Sequence, residues 1–345
     1  MGEPKYGLIQ KPQLQRLQKA RTGCIMGLIR NIFKRIKPLH VANNLVNYNK
    51  LANDQELYRK YGIKKSKASG VKHSDFNQVS STPPWLDVNP ENSRERLKEH
   101  PFFSKISDQQ KESLLDWSCN GYAVLQEYLN AKIVDAINLE IDQLIDSGTV
   151  SWKYPHSRRL MNLVHENEKI AKLLPIEQLK PILSMLLGKE VELFQSINFI
   201  DGSEQKAHAD SIHMTTFPLG YLIGVWIALE DVGPDQGPLF MYPGSHRLDY
   251  VLTEEIDAGD NYFLLGKNAY SKYETAIEEV IQKNDFKRTE FLAKKGDVLL
   301  WHANLIHGGS KILNPKLTRK STVLHYFAKD VIRYHEITQR PAIIP

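Results

Sequence analysis

The sequence is poor in cysteine and has no long apolar run. Its 345 residues include two cysteines, Cys24 and Cys119, too few for a disulfide framework or a zinc-finger site, so a reducing compartment is expected. No stretch approaches the roughly 18 apolar residues that a membrane-spanning helix needs. The apolar stretch 24–36 is interrupted by basic residues, which argues against a secretory signal peptide. These absences favour a globular cytoplasmic protein.

Charge is distributed unevenly along the chain. Residues 1–80 contain 16 Lys and Arg against 4 Asp and Glu, a balance of +12 within a total of +5, so the remainder carries −7. Hydrophobic residues make up 41% of the chain, an ordinary fraction that permits a sizeable core. A basic tail on a mildly acidic body indicates that the tail is the part that would meet an anionic surface.

The first part of the chain is predicted to be an extension. We expect residues 1–95 to form a basic N-terminal extension and residues 96–345 to form the main domain, because prolines cluster near residues 83–90. Within the extension, apolar residues at helical spacing predict a basic amphipathic helix over 25–36. One interpretation is a helix packed on the main domain with its basic face in water. The other is peripheral contact of residues 20–37 with an anionic membrane; nucleic acid is not an expected partner.

Short apolar segments separated by Gly and Pro predict a β-rich second half. The predicted strands are 191–200, 222–229, 237–242, 297–302 and 321–327. Apolar spacing predicts helices over 131–145 and 176–187, and the polar segment 252–291 is interpreted as an insertion able to act as a lid. The pattern favours a mainly β fold with flanking helices, built as a sandwich or barrel.

One tripeptide and one distant histidine have metal-binding character. His208 and Asp210 are two residues apart, and in a strand such side chains point to the same side. A third ligand must come from elsewhere, and His307 is the candidate. Two histidines and one carboxylate on one face of an octahedron are typical of non-haem Fe(II) oxygenases, which keep the other positions open for a cosubstrate and O₂.

An arginine that follows His307 in the sequence completes the candidate set. Arg319 follows His307 by twelve residues and precedes Ser321 at the start of a predicted strand. A guanidinium matches a carboxylate in a bidentate manner, and a hydroxyl adds one donor. The pair is therefore predicted to bind the distal carboxylate of 2-oxoglutarate.

These fragments together resemble the phytanoyl-CoA dioxygenase family of Fe(II)/2-oxoglutarate oxygenases. The shared motifs, in order, are Gly-Tyr-Ala-Val-Leu at 121–125, the His-Ala-Asp tripeptide, Gly224–Leu229, Gly237–Leu239, Pro243–His246, Gly296–His302, His307 and Arg319. The resemblance implies a double-stranded β-helix, or jelly-roll, core flanked by helices. It also implies that decarboxylation of 2-oxoglutarate to succinate is coupled to hydroxylation of an unactivated C–H bond.

Other polar residues compete for roles in this site. Gln195 and Asn198 are candidates to bind 2-oxoglutarate, but they lie three residues apart on one strand, so at most one can face the site. His302 and His246 rank below His307 as the distal ligand, and His213 would pair poorly with Asp210. His325, on the predicted strand of Arg319 and Ser321, is either a pocket-lining residue or a packed strand residue, and Trp226 is either a neighbour of the metal or an ordinary core residue.

Two further interpretations stay open beside a hydroxylase acting on a small-molecule or lipid-like substrate. The first is a non-catalytic jelly-roll module for binding or membrane recruitment, against which the complete ligand set argues. The second is a non-oxidative, metal-dependent, cupin-like enzyme, which would not need the Arg319 anchor.

Overall fold

A computed structural model describes residues 35–76, 79–150, 152 and 158–344 of the chain. Residues 25–34 of the predicted amphipathic helix lie outside these ranges. The helices are α1 Lys37–Val46, α2 Gln55–Lys60, α3 Trp85–Val88, α4 Ser93–Glu99, α5 Asp108–Leu115, α6 Trp117–Asn120, α7 Ala131–Asp146, α8 Leu163–Glu166, α9 Glu168–Leu173, α10 Ile176–Leu187 and α11 Ala269–Asn284. The strands are β1 Tyr122–Leu125, β2 Arg159–Met161, β3 Val191–Phe199, β4 Thr215–Phe217, β5 Leu222–Ala228, β6 Leu239–Met241, β7 Thr289–Phe291, β8 Val298–His302, β9 His307–Gly309, β10 Ser321–Ala328, β11 Ile332–His335 and β12 Arg340–Pro341.

The largest layer is a six-stranded antiparallel sheet in the order β1-β8-β5-β10-β3-β2. Its central strands β5 and β10 are buried along their whole length, because helices cover one face and the other strands cover the opposite face. The predicted strands are thus confirmed, with small shifts at their ends. The expected β-rich core with flanking helices is confirmed as well.

Two three-stranded sheets, β7-β6-β9 and β12-β11-β4, complete the strand layers. A compact apolar cluster contains residues of the main sheet, such as Trp226 and Val323, together with Met241 of β6. The cluster joins the main sheet to the β6 sheet, in which Met241 lies opposite the candidate metal ligand His307.

The long helices α7 and α10 pack against the main sheet. Both place apolar residues at helical spacing, and these residues enter the largest hydrophobic cluster of the described chain. Helix α10 ends at Gly188, which adopts the left-handed conformation (φ +67°) that glycine accommodates best. The predicted helices over 131–145 and 176–187 are therefore confirmed.

The described part of the predicted extension packs on the strands. Tyr58 and Phe76 share a hydrophobic cluster with Phe217 of β4 and Ile332 of β11. The rings of Phe76 and Phe217 stack with their centroids 4.2 Å apart. The division of the chain at residue 95 stays a prediction.

The segment after β6 forms the predicted insertion and contains α11. Tyr273 and Ile277 on α11 pack against Ile212 and Ile306, which adjoin the candidate metal ligands. The insertion therefore covers the loop that includes His208 and Asp210. Within the described chain, no helix combines the length and apolar character needed to cross a bilayer.

Candidate metal centre

The side chains of His208, Asp210 and His307 converge at one end of the strand layers. Their donor atoms lie within 4.8 Å of one another, and all three residues are buried. Oδ1 of Asp210 is 3.7 Å from Nε2 of His208 and 3.8 Å from Nε2 of His307. Two imidazole nitrogens and one carboxylate oxygen at these separations suit a divalent transition metal such as Fe(II).

Backbone pairing holds the two histidines side by side. His208 and His307 form an isolated antiparallel bridge in which each N–H donates to the other carbonyl oxygen at 2.9 Å. This bridge brings the ring centroids to 4.5 Å. The two residues are 99 positions apart in the sequence, so the pairing of distant segments, rather than local spacing, creates the site.

Each histidine also has its tautomer fixed by a local hydrogen bond. Nδ1 of His208 donates to the Lys206 carbonyl at 2.8 Å, and Nδ1 of His307 donates to the Leu305 carbonyl at 2.9 Å. Both Nε2 atoms are therefore left as lone-pair donors. Burial, with a further contribution from His307, lowers the pKa of His208 to about 3, which keeps this imidazole neutral at pH 7 as metal binding requires.

The second oxygen of Asp210 faces two other side chains. Nε1 of Trp301 donates to Oδ2 at 2.8 Å, and Nε2 of His325 lies 3.4 Å from the same oxygen. Burial alone would raise the pKa of Asp210, but the surrounding imidazoles of His307, His325 and His208 outweigh it and lower the pKa well below its ordinary value. Asp210 is therefore an anion throughout the physiological pH range.

The local conformation of the ligand tripeptide differs from the prediction. His208 lies in the isolated bridge, but Asp210 begins a short 3₁₀ turn, Asp210–Ile212, instead of continuing a strand. The phenolic oxygen of Tyr273 on α11 accepts from the Ala209 N–H at 2.8 Å and lies 3.3 Å from the Ala209 carbonyl oxygen. The backbone between the two ligands is thus held by a residue of the insertion.

Arg319 is fully buried and lines the same cavity. Its guanidinium lies over the rings of Phe199 and Trp226, and Nη1 donates to the Gly237 carbonyl at 3.1 Å. Burial, with repulsion from Arg159, lowers its pKa to about 10, so it remains charged at pH 7. Among the described residues no carboxylate lies at ion-pair distance, and Nε has no hydrogen-bond partner. A buried cation of this kind is suited to an exogenous carboxylate, because a partner removes the cost of burying the charge.

The other two predicted anchors lie in different surroundings. Gln195 lines the cavity, and its Nε2 donates to Nδ1 of His325 at 3.2 Å. Ser321 is fully buried, with its hydroxyl 3.5 Å from the Arg319 carbonyl. Their contact with 2-oxoglutarate stays a prediction. Asn198 instead donates to Thr322 at 2.7 Å within the sheet.

The competing histidines separate into two groups. His302 faces Asp87 at 3.1 Å, and its ring lies 5.3 Å from that of His246. Both lie on a second cavity, apart from the ligand cluster. His213 and His325 line the cavity of the metal centre, so of the two interpretations of His325 the structure favours the pocket-lining one.

The cavity at the centre has a volume of about 590 Å³. Three residues that support the site were not singled out in the sequence: Trp301 and Gln205, which line the cavity, and Tyr273, which contacts the backbone of Ala209. Gln205 donates from Nε2 to Nε2 of His208 at 3.0 Å. A tryptophan inside the Gly296–His302 motif was the one sequence signal that pointed toward any of the three.

Comparison with known proteins places this architecture in a family. The sequence model of the phytanoyl-CoA dioxygenase (PhyH) family matches residues 117–321. Phytanoyl-CoA dioxygenase domain-containing protein 1 of Danio rerio is 29% identical over 109 residues, which are 31% of this chain and 33% of that protein. The match therefore spans about a third of that relative.

Two longer similarities agree with the family match. Ectoine dioxygenase of Sphingopyxis alaskensis is 26% identical over 215 residues, which are 57% of this chain and 69% of that protein. The crystal structure of SnoK, a non-heme alpha ketoglutarate dependent carbocyclase from nogalamycin biosynthesis, has the same fold. It superposes with a TM-score of 0.53 at 16% identity, over 67% of this chain and 87% of that one. Because the family model covers more than half of the sequence, this chain belongs to the phytanoyl-CoA dioxygenase family.

Proposed function

We propose that the chain is an Fe(II)- and 2-oxoglutarate-dependent dioxygenase. It would hydroxylate an unactivated C–H bond of a small-molecule or lipid-like substrate and release succinate and CO₂. One observation carries the proposal: a buried two-histidine, one-carboxylate cluster shares its cavity with Arg319, a buried cation with no carboxylate partner among the described residues.

The residues take distinct roles in this proposal. His208, Asp210 and His307 hold Fe(II), with Nε2 of each imidazole and Oδ1 of the carboxylate as donors. Arg319 binds the distal carboxylate of 2-oxoglutarate, with Ser321 and Gln195 as further candidates. When bound, iron and 2-oxoglutarate together activate O₂ and supply the oxidising power for hydroxylation. The protein fixes geometry and excludes water.

We further propose that the strand layers form a jelly-roll, or double-stranded β-helix. The antiparallel main sheet faces the β6 sheet across a shared apolar cluster, and the ligands lie at one end, where a jelly-roll enzyme would hold its metal. In this proposal residues 96–345 are the dioxygenase domain and residues 1–95 are an accessory extension.

The central test is metal-dependent binding of 2-oxoglutarate. Calorimetric titration of the anaerobic Fe(II) protein with 2-oxoglutarate should give saturable binding that Arg319→Ala weakens at least about 100-fold, because two charge-assisted hydrogen bonds are lost. His307→Ala should abolish retention of iron. Arg59→Gln, on the exposed side of α2, is the matched control and should bind Fe(II) and 2-oxoglutarate as the wild type does.

The same experiment discriminates among the three interpretations. Succinate formation from 2-oxoglutarate in air supports the dioxygenase. Unchanged 2-oxoglutarate binding in Arg319→Ala would favour the non-oxidative metal enzyme. Failure to retain iron or bind 2-oxoglutarate would favour the non-catalytic binding module.

We also propose peripheral membrane contact near the start of the described chain. Tyr262 and Phe263 expose 86% and 61% of their surfaces. The Phe263 carbonyl accepts from the N–H of Lys37 at 2.9 Å, so the backbone at Phe263 contacts Lys37, the last residue of the predicted basic segment 20–37. Aromatic residues beside basic ones suit the surface of an anionic bilayer.

Co-sedimentation with liposomes rich in phosphatidylserine tests this contact. The full chain should pellet with these liposomes, whereas a Tyr262→Ser, Phe263→Ser double variant should pellet several-fold less. Equal pelleting of both proteins, or equal pelleting with neutral liposomes, would contradict the contact.

A further inference from the structure

The C-terminal hairpin β11–β12 forms one wall of the cavity that contains the metal cluster. Tyr334 and His335 of β11 line the cavity together with Arg340 of β12. His335 and Arg340 are opposite each other in the antiparallel pair. The hairpin thus places the guanidinium of Arg340 at the cavity. This residue is far in sequence from the N-terminal extension.

Contacts from several segments fix the position of this hairpin. The N–H of Gln339 donates to the His335 carbonyl at 2.7 Å, and the Gln339 carbonyl accepts from the N–H of Val71 at 2.9 Å. The Gln339 side chain donates to Asp260 of the insertion at 2.9 Å. Just after Arg340, the Ala342 carbonyl accepts from the N–H of Ala52 at 2.9 Å. Arg340 therefore projects from a backbone held by both the extension and the insertion.

A short series of rings connects the metal ligands to this hairpin. The ring centroids of His208 and His213 are 6.2 Å apart, and those of His213 and His335 are 5.3 Å apart. Burial, then the neighbouring His213 and Arg340, lowers the pKa of His335 to about 3, so this ring is neutral at pH 7. Arg340 is then the charged group at this end of the cavity.

Arg340 has no acidic neighbour in the described chain. Its Nε donates to the Thr338 hydroxyl at 3.1 Å, which orients the guanidinium. Among the described residues that line the cavity, Asp210 is the one carboxylate. In the proposed complex, Asp210 and the two carboxylates of 2-oxoglutarate balance Fe(II) and Arg319. Two further arginines line the cavity: Arg159, which lies over the ring of Phe199 beside Arg319, and Arg340. The charge of Arg340 is therefore in excess of what the metal centre requires.

One part of the cavity lining is apolar. Phe194 and Phe327 have ring centroids 5.1 Å apart, and Met214, like Phe194, packs against the apolar cluster that contains Phe327. All three line the cavity. Such a surface favours a hydrocarbon body, while the exposed guanidinium of Arg340 on the same lining can donate charge-assisted hydrogen bonds to an anion.

Building on the function proposed above, we propose that the substrate is an amphipathic carboxylic acid. Arg340 binds its carboxylate, and its apolar body lies along Phe194, Phe327 and Met214 toward the metal triad. Recognition of the acid by a residue distant from the metal would determine which C–H bond is placed at the oxidising centre.

A matched set of probes tests the charge preference directly. Octanoate, octanamide and octylammonium have the same chain length and differ in head-group charge. Each is titrated by calorimetry into the anaerobic full-length protein loaded with Fe(II) and 2-oxoglutarate. We expect octanoate to bind at least about 10-fold more tightly than the amide, because a charge-assisted hydrogen bond replaces a neutral one, and we expect octylammonium not to bind.

Three variants test whether Arg340 is the residue responsible for the preference for a carboxylate. Arg340→Gln should weaken octanoate binding about 10- to 100-fold and leave octanamide within about 3-fold. Arg340→Lys keeps the charge and should retain most of the affinity. Arg59→Gln removes an arginine outside the cavity and should behave as the wild type does. Thermal unfolding of each variant verifies that the hairpin remains folded.

Three results would contradict the assignment of an amphipathic carboxylic acid. Absence of octanoate binding, equal binding of octanoate and octanamide, or an Arg340→Gln effect no larger than that of Arg59→Gln would overturn the inference. Titration of the same samples with 2-oxoglutarate separates the two proposals. If 2-oxoglutarate binding depends on Arg319 while octanoate binding does not depend on Arg340, only the substrate assignment fails. If 2-oxoglutarate does not bind, the proposed function fails.

Discussion

The two carboxylate oxygens of Asp210 have different roles, because Trp301 binds one of them and leaves the other free to face the histidines. The indole Nε1 donates to Oδ2 at 2.8 Å, while Oδ1 lies 3.7 Å and 3.8 Å from the Nε2 atoms of His208 and His307. One oxygen is thus directed toward the metal position and the other is held by the sheet. The indole fixes the carboxylate in an orientation that suits a single metal–oxygen bond.

This relationship predicts that Trp301→Phe weakens metal binding about 10- to 100-fold, the range typical of residues that orient a metal ligand. Competition titration of the anaerobic protein with Fe(II) or Co(II) measures the change. The matched control is Trp226→Phe, because Trp226 is a buried indole on the same cavity whose Nε1 has no hydrogen-bond partner among the described residues. Equal losses of affinity in the two variants would refute the orienting role.

Tyr273 provides the second prediction. Its hydroxyl contacts both the N–H and the carbonyl of Ala209, the residue between two metal ligands. Tyr273→Phe leaves that buried N–H unpaired, so we expect a loss of about 1–3 kcal/mol in the free energy of unfolding and weaker metal binding. Urea denaturation and metal titration measure the two effects.

The exposed Tyr262→Phe is the control for Tyr273→Phe and should change neither quantity. If Tyr273→Phe alters stability but leaves metal affinity at the wild-type value, the tyrosine supports the insertion and not the ligand geometry.

The third prediction concerns acid stability. Burial, then the nearby His302, lowers the pKa of His246 to about 3, below the usual value of 6.5. As the pH falls below 6.5, the unfolded chain binds a proton that the folded chain does not, so stability is present above pH 6.5 and is lost toward pH 3. His246→Leu should reduce the slope of unfolding free energy against pH by up to about 1.4 kcal/mol per pH unit.

Urea unfolding between pH 8 and pH 4.5 measures that slope. The wild type and the variant should have equal slopes between pH 7.5 and pH 8, whatever the offset between them, and should diverge only below about pH 6.5. Parallel curves throughout would show that His246 is not the group responsible.

Much of the fold and the identity of the three ligands could be predicted from the sequence, because apolar spacing is a local pattern and few side-chain types bind Fe(II), although the pairing of distant segments is what brings the ligands together. Apolar spacing places α10 at 176–187, the range observed, and short apolar segments separated by Gly and Pro predict β5 and β10. His208, Asp210 and His307 follow from the few side-chain types that bind Fe(II) in a facial arrangement. These patterns can be recognised in the sequence without any knowledge of tertiary contacts.

The supporting residues could not be predicted, because they depend on pairing between distant segments. Trp301 reaches Asp210 across 91 positions, and Tyr273 reaches Ala209 across 64. The hairpin β11–β12 has strands of four and two residues, too short for a periodic pattern. Arg340 therefore has no sequence signal that distinguishes it from any other C-terminal arginine.

The final prediction tests whether the indole needs the space that Gly224 leaves. A Cβ atom at Gly224 would overlap the six-membered ring of Trp301, which pairs with it across β5 and β8. We expect Gly224→Ala to lower the free energy of unfolding by about 1–3 kcal/mol through overpacking, and to weaken metal binding because the indole is displaced from Asp210. Gly233→Ala is the control, since a Cβ there meets only Gln236 at 3.4 Å.

A double variant shows whether the two residues act through one contact. If Gly224→Ala is harmful because it displaces the indole, its effect should shrink in a Trp301→Leu background, with a coupling of at least about 1 kcal/mol between the two changes. Additive effects would mean that Gly224 is needed for the backbone of β5 alone. In that case the orientation of Asp210 would depend on Trp301 without support from the strand beside it.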